Sequence, residues 1–141
     1  MKISRLQTLS IIIPVYNEEK FIIRTIEDVL ASNTEGLHKE IIIINDGSSD
    51  ATLKNTLTFL KTLGKSKKKS LTVKKHIYTL KHAKDTIVVF DKPVNDGKGA
   101  AVKTGFMQST GDIVLVQDAD LEYDPADYSR LTYPSPPPAP C

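Results

Sequence analysis

Apolar residues fall along this chain in short blocks of two kinds. Residues 10–15 (Ser-Ile-Ile-Ile-Pro-Val) and 40–44 (Glu-Ile-Ile-Ile-Ile) are brief, β-branched and apolar at nearly every position, and residues 86–90 and 112–117 repeat the pattern. Such runs predict strands buried on both faces. Between them apolar residues return every third or fourth place: Ile22, Ile23, Ile26, Val29 and Leu30, then Leu53, Leu57, Leu60 and Leu63, then Val102 and Phe106. That spacing predicts three helices, each with an inward face. Strands alternating with helical patterns of roughly 10–15 residues predict the α/β class, a mostly parallel sheet with flanking helices and right-handed crossovers.

The polar residues between the blocks supply the punctuation. Pro14 is expected to stop the first strand, and Asn17 to cap the first helix, with Glu18 and Glu19 in its first turn. Asn45-Asp46-Gly47-Ser48-Ser49-Asp50 reads as a turn able to cap the second helix, which should stop at Gly64. Gly97-Lys98-Gly99 opens the third helix, with Val102 and Phe106 inward. One stretch departs from the rhythm. Nine lysines fall between Lys61 and Lys84, with no acid before Asp85. Leu71, Val73, Ile77 and Leu80 follow no clean period there, so residues 65–85 are read as a basic insertion, partly ordered at best. Residues 132–141 hold five of the eight prolines and are expected to form an extended, disordered tail. The remainder, residues 1–131, is one domain or part of one.

Composition changes this picture little. A net charge of +2 over 141 residues calls for no particular partner. The single cysteine, Cys141, excludes an internal disulfide and a cysteine-based zinc cluster, and His38, His76 and His82 lack ligand spacing. No apolar run approaches the roughly 18 residues of a membrane span. Lys2 and Arg5 ahead of an apolar run imitate a secretory leader. Pro14, the polar Asn17-Glu18-Glu19 and the lack of a small-residue cleavage site argue against one. A cytoplasmic protein, at most touching the cytosolic face of a membrane such as the endoplasmic reticulum or plasma membrane, is expected.

The candidate chemistry lies where the predicted strands end. Asp118-Ala119-Asp120-Leu121-Glu122 follows the last strand, and carboxylates at this spacing suit a hard divalent cation such as Mg²⁺ or Mn²⁺; alone, the group equally suits solvated acids after a strand. Pro14-Val15-Tyr16-Asn17-Glu18 ends the first strand and offers an aromatic face and a carboxylate, or simply a strand-to-helix connector. Asp46 ends the second strand beside a glycine, where a carboxylate can take a ribose hydroxyl or a base edge, or form a turn. Asn95-Asp96-Gly97-Lys98-Gly99 allows close backbone approach to a phosphate, with Lys98 adding charge, or makes a tight helix start. Neither a Walker loop nor a Gly-x-Gly-x-x-Gly motif is present. In an open parallel sheet all these clusters gather along one edge, the ligand-binding edge of such folds.

Taken together, these motifs resemble the N-terminal, donor-binding part of a family 2 glycosyltransferase of the GT-A (Rossmann-like) fold. The resemblance is strongest to the polyprenol-phosphate (dolichyl-phosphate) mannosyl- and glucosyltransferases. It rests on residues 10–19, 40–50 (with Asn-Asp-Gly-Ser-Ser-Asp), 95–101 and 110–125. The resemblance implies that Pro14, Tyr16, Glu18, Ile44 and Asp46 hold the base and ribose of a GDP- or UDP-sugar. Asp118, Ala119 and Asp120 would hold its diphosphate end, and Lys98 stays a substrate-binding candidate from the charge it adds to the glycine turn. Asp118, Asp120 and Glu122 would surround Mg²⁺ or Mn²⁺, with Asp118 and Asp120 as catalytic residues. It also implies inverting transfer to a polyprenol or dolichyl phosphate, an acceptor that needs no strong general base.

The chain departs from the family pattern in three places. Asn45 stands where the family often has another Asp, the basic insertion lengthens one connection, and the family continues beyond the metal motif where this chain turns to prolines. A missing C-terminal half or a partner subunit is therefore expected, and a truncated, non-catalytic nucleotide-binding remnant is the alternative function. The lysine-rich stretch has its own readings: a solvated loop, a contact with anionic lipid, or nonspecific nucleic-acid binding. No specific nucleic-acid recognition is expected, because no aromatics interleave with it.

Overall fold

A computed structural model of the chain describes residues 6–69, 74–80 and 85–119. Within them the order is β1 (Thr8–Val15), α1 (Ile22–Ala31), β2 (His38–Asp46), α2 (Thr52–Leu63), β3 (Gly64–Lys69), β4 (Lys74–Leu80), β5 (Thr86–Lys92), α3 (Lys98–Gln108) and β6 (Ile113–Val116). The strands form one sheet in the order β3-β4-β5-β2-β1-β6. β5, β2, β1 and β6 run parallel, while β4 is antiparallel to both its neighbours.

The all-apolar runs fold as predicted because both faces of the sheet are covered. Side chains alternate along a strand, so Ile41 and Ile43 join Ile22, Ile26 and Val29 of α1 and Leu60 of α2 on one face. Ile42 and Ile44 join Ile12, Phe90 and Ala101 of α3 on the other. All four isoleucines are at most 1% exposed, and burying each contributes roughly 1.5–3 kcal/mol before entropy.

Four expectations need correction. Phe106 does not point inward. It is 63% exposed, and Ala101 and Gly105 face the sheet instead. α3 lies so close to β1 that a Cβ on Gly105 would stand 2.5 Å from Cγ2 of Ile12, leaving no room for a large side chain on that face. Pro14 does not end β1, which continues to Val15. The Gln117 amide donates to the Ile12 carbonyl on the β6 side (2.8 Å), and β6 pairs with β1 no further than Ile12. Position 14 faces the same side, so its missing amide costs no bond to β2 and falls where the β1–β6 ladder ends. Asn17 does not cap α1. Phe21 takes that place, and no acid lies in the first turn. Finally, residues 65–84 are not wholly an irregular excursion, since β3 and β4 form an antiparallel pair that extends the sheet beyond β5. Tyr78, 1% exposed, anchors β4 in the core while Thr79 faces out. Lysines suit an outermost strand, where they discourage pairing with other chains. α2 stops at Gly64 as expected, but that residue is extended and leads directly into β3. The proline-rich segment lies outside the described residues. Among the described residues no helix is long and apolar enough to cross a membrane.

Polar contacts lock the amino-terminal edge of the sheet. Glu40 accepts from Ser10 Oγ (2.6 Å) and from the amide of Thr110 (2.8 Å). Lys39 Nζ donates to the Leu30 carbonyl at the end of α1 (2.6 Å); burial lowers its pKa against the opposing pull of Asp85. Asp112 accepts from the amides of Gln7 (2.8 Å) and Thr8 (3.0 Å), and these bonds hold its pKa below the usual carboxylate value. A carboxylate whose folded pKa is depressed stabilises the fold above its unfolded pKa and loses that contribution as pH falls through the folded value. The Asp112→Asn variant is therefore expected to melt below the parent at neutral pH. The gap should begin to close below about pH 4, as thermal melts across the acid range would show. A gap that stays constant to the acid limit would mean that the Asp112 charge plays no part.

Candidate functional site

The carboxyl ends of β1, β2 and β5 and the segment after β6 enclose a cleft of about 360 Å³. It is lined by Pro14 and Val15 at the end of β1, Tyr16 and Glu18 of the first loop, Asp46, Asn95 and Gly97 of the loop before α3, Lys98 and Ala101 of α3, and Asp118 and Ala119. Of the residues predicted to bind a ligand, the fold thus brings together Pro14, Tyr16, Glu18, Asp46, Lys98, Asp118 and Ala119. Ile44 does not join them. Its side chain shares a face of β2 with Asp46 but is 0% exposed, covered by Ala101 of α3 and packed with Ile12, Ile42 and Phe90. Asp120 and Glu122 lie outside the described residues.

Side-chain bonds hold the first two loops together. Asn17, at φ 51, accepts on Oδ1 from the amides of Ser49 (2.8 Å) and Asp50 (3.3 Å), and its own amide donates to Ser48 Oγ (3.0 Å). The amide of Glu18 donates to Thr52 Oγ1 (2.9 Å), and that of Ala51 to Glu19 Oε2 (3.1 Å). Asp50 takes its place at the start of α2 by accepting from Thr52. Burial pushes its pKa up, but the bonds from Thr52 and Glu19 prevail and leave it lowered. Asn17 therefore presents Tyr16, 46% exposed, at the cleft rim.

Asp46 organises the third loop. Its buried carboxylate accepts from the amides of Asp96 (3.1 Å) and Gly97 (2.9 Å), and Lys92 Nζ lies 3.4 Å away. Gly47, at φ +69, lets this loop cross closely, since a Cβ there would meet Asn95 N at 2.5 Å. Gly97 N also donates to Asn95 Oδ1 (2.9 Å), so the glycine-rich turn is held from both sides. Asn45, the departure from the family pattern, has a local reason. Its Nδ2 donates to Asp91 Oδ1 (3.0 Å), where an aspartate would oppose a second carboxylate.

Asp118 is set by its neighbours. Gln117 bonds its backbone to β1, and its Nε2 donates to the Asp118 carbonyl (3.2 Å). The buried Thr25 hydroxyl of α1 donates to the Ala119 carbonyl (3.0 Å). The Asp118 carboxylate, 16% exposed, forms an ion pair with Lys98 across the cleft. Among the described residues no three His, Cys, Asp or Glu side chains gather around one point. Asp118 alone nonetheless fits a hard cation: it is a carboxylate, largely shielded from water, and already drawn to a positive charge. Sequence reasoning missed Thr25 and Lys92 as supports. Thr25 carried a signal, a polar residue between Ile22 and Ile26 on an otherwise apolar face; Lys92 carried none.

Residues 10–134 match the model of Glycosyl transferase family 2. A dolichyl-phosphate beta-glucosyltransferase of Trichomonas vaginalis is 30% identical over 118 residues, covering 79% of this chain and 30% of that protein. An undecaprenyl-phosphate 4-deoxy-4-formamido-L-arabinose transferase of Pectobacterium carotovorum is 35% identical over 130 residues, covering 92% of this chain and 34% of that protein. Among solved structures, a mannosyltransferase from Pyrobaculum calidifontis in complex with GDP-Man and Mn²⁺ superposes with a TM-score of 0.65 at 19% identity. It covers 92% of this chain and 32% of that one. The chain thus spans about a third of the length of the relatives it matches, and its fold is that of GT-A glycosyltransferases.

Proposed function

The chain belongs to glycosyl transferase family 2, and we propose that it is the donor-binding part of an enzyme that passes a sugar, with inversion, from a nucleoside-diphosphate sugar to a polyprenol phosphate. One observation carries this reading: loops far apart in sequence meet in one cleft, with a cationic side chain drawn to Asp118.

Tyr16 stacks on the base, and Pro14, Glu18 and Asp46 hold base and ribose. Lys98 and the turn at Gly97 receive the diphosphate, whose negative charge suits an ammonium and the start of α3. Asp118 would hold a divalent ion together with Asp120 and Glu122. When bound, that ion neutralises charge on the departing nucleoside diphosphate. In the transfer an oxygen of the acceptor phosphate forms a bond to the anomeric carbon as the bond from that carbon to the donor's phosphate oxygen breaks. The nucleoside diphosphate leaves with the electron pair. The acceptor phosphate is already anionic, so no residue here needs to remove its proton. The identity to polyprenol-phosphate enzymes supports the acceptor class.

Calorimetric titration of the 141-residue chain with GDP, UDP and their sugars, with and without Mn²⁺, tests the reading. Metal-dependent binding is expected, with preference for one base. Absence of binding by demonstrably folded protein would overturn it. Binding without transfer to a polyprenol phosphate would instead indicate a nucleotide-binding subunit.

A further inference from the structure

The basic stretch and the cleft share one edge of the sheet. β3 and β4 together carry Lys65, Lys67, Lys68, Lys69, Lys74 and Lys75 and no acid. β3 is antiparallel to β4, which is antiparallel to β5, so the end of β3 and the start of β4 point the same way as the carboxyl ends of the parallel strands. The register makes this concrete. A single row runs from Val15, which lines the cleft, through Asn45 and Asp91 to Lys74. In the next step Lys75 pairs with Lys69, and Lys68 pairs with His76. At about 4.8 Å between strands, Lys74 lies roughly 15 Å along the sheet edge from the cleft and Lys69 roughly 20 Å.

We infer that this lysine-bearing strand pair is a docking surface for the anionic head groups of a lipid bilayer, one that turns the cleft toward the membrane. The inference rests on the reading above only in that a polyprenol phosphate is delivered from a bilayer; the docking itself is independent of donor binding. Charge favours this occupant, because five of the six lysines fall within positions 67–75, and three of them, Lys69, Lys74 and Lys75, lie in the rows of Pro14 and Val15 at the edge that carries the cleft. Each lysine near an anionic surface raises partitioning roughly fivefold. Nucleic acid fits less well. Of the aromatics in this part of the sheet, Tyr78 is buried and Phe90 lies beneath Lys75, whose Nζ is 5.2 Å from the ring centre. Neither offers the exposed stacking face that single strands use.

Co-sedimentation of the full chain with vesicles provides the test. Vesicles of phosphatidylcholine alone are compared with vesicles containing phosphatidylserine, for the parent, for Lys67→Glu/Lys68→Glu/Lys69→Glu, and for a charge control, Lys54→Glu/Lys61→Glu/Lys103→Glu on the helices. Circular dichroism and Mn²⁺-dependent nucleotide titration accompany each. The parent should bind only the anionic vesicles and release them as salt rises. The strand variant should lose at least about 100-fold, from roughly fivefold per lysine removed with repulsion of the new carboxylates added, while keeping fold and nucleotide affinity, and the helix control should lose much less. Equal losses in both variants, binding to neutral vesicles, or retention by a homopolymer RNA with no vesicle binding would each overturn the inference. A chain that docks on vesicles but binds no nucleotide would uphold it while defeating the donor-site reading.

Discussion

Asp118→Ala is expected to abolish metal-dependent nucleotide binding, and Lys98→Ala to shift metal binding in the opposite direction. Asp118 faces the cleft and its carboxylate bonds to a cation already. A divalent ion arriving there must displace the Lys98 ammonium. Removing the competitor should tighten Mn²⁺ binding in the absence of nucleotide. Removing the ligand should weaken it by roughly 100-fold or more, since even outer partners of a metal are worth about 10–100-fold. With nucleotide present the Lys98 variant should bind worse than the parent, because it has lost a positive charge from the phosphate end of the cleft. Neither substitution should unfold the chain. The pair is partly solvated, with Lys98 62% exposed, and such pairs contribute about 0–1 kcal/mol. Electron paramagnetic resonance of free Mn²⁺, read with and without GDP or UDP, distinguishes these outcomes. Identical Mn²⁺ affinity in parent and Asp118→Ala would remove the metal from the reading altogether.

The sheet was legible in the sequence because its signal is redundant. Ile41 to Ile44 are apolar at four successive positions, and a run so short and β-branched points to a strand covered on both faces; the structure buries all four. The convergence of the cleft followed from topology alone, since parallel strands deliver all their carboxyl ends to one edge. What failed was local and depended on distance between elements. Phe106 had helical spacing from Val102, but the closeness of α3 to Ile12 decided which face turned inward. Asn17 has the chemistry of a cap, yet the second loop offered it Ser49 and Asp50 as partners, and these win over its own helix. Ile44 shares a face of β2 with Asp46, but α3 covers it through Ala101, which sequence alone does not reveal. The strand pair at residues 64–80 hid behind its charge. Its pairing is satisfied by backbone, and Tyr78, the one buried side chain among those described there, is too weak a period to read. Lys92 gave no sign because its role depends on where Asp46 and Asp96 fold.

Asp46→Ala should cost more stability than any other change in the cleft, about 3–5 kcal/mol, the range for removing one member of a buried, bonded charge pair. Its carboxylate has 4% side-chain exposure and satisfies two amides of the third loop while facing Lys92, itself only 11% exposed. Alanine would strand the Asp96 amide and leave the Gly97 amide only Asn95 Oδ1 and the ammonium only Asp96. Asp96, 3.3 Å from Lys92 but 58% exposed, offers partial compensation and places the expectation toward the lower end. For a chain of this size the loss corresponds to a fall in Tm of ~10–20 °C. Asp46→Asn keeps the shape but turns an amide donor toward donors, so it should also destabilise, by less. The decisive comparison is Asp46→Ala/Lys92→Met, which removes the buried ammonium together with its buried partner. Urea denaturation should show the double variant more stable than Asp46→Ala alone, a coupling that only neighbours in one network produce. Additive losses would mean that Lys92 does not depend on Asp46. A melt of Asp46→Ala within a degree of the parent would mean that the third loop holds itself, leaving the buried carboxylate to the nucleotide.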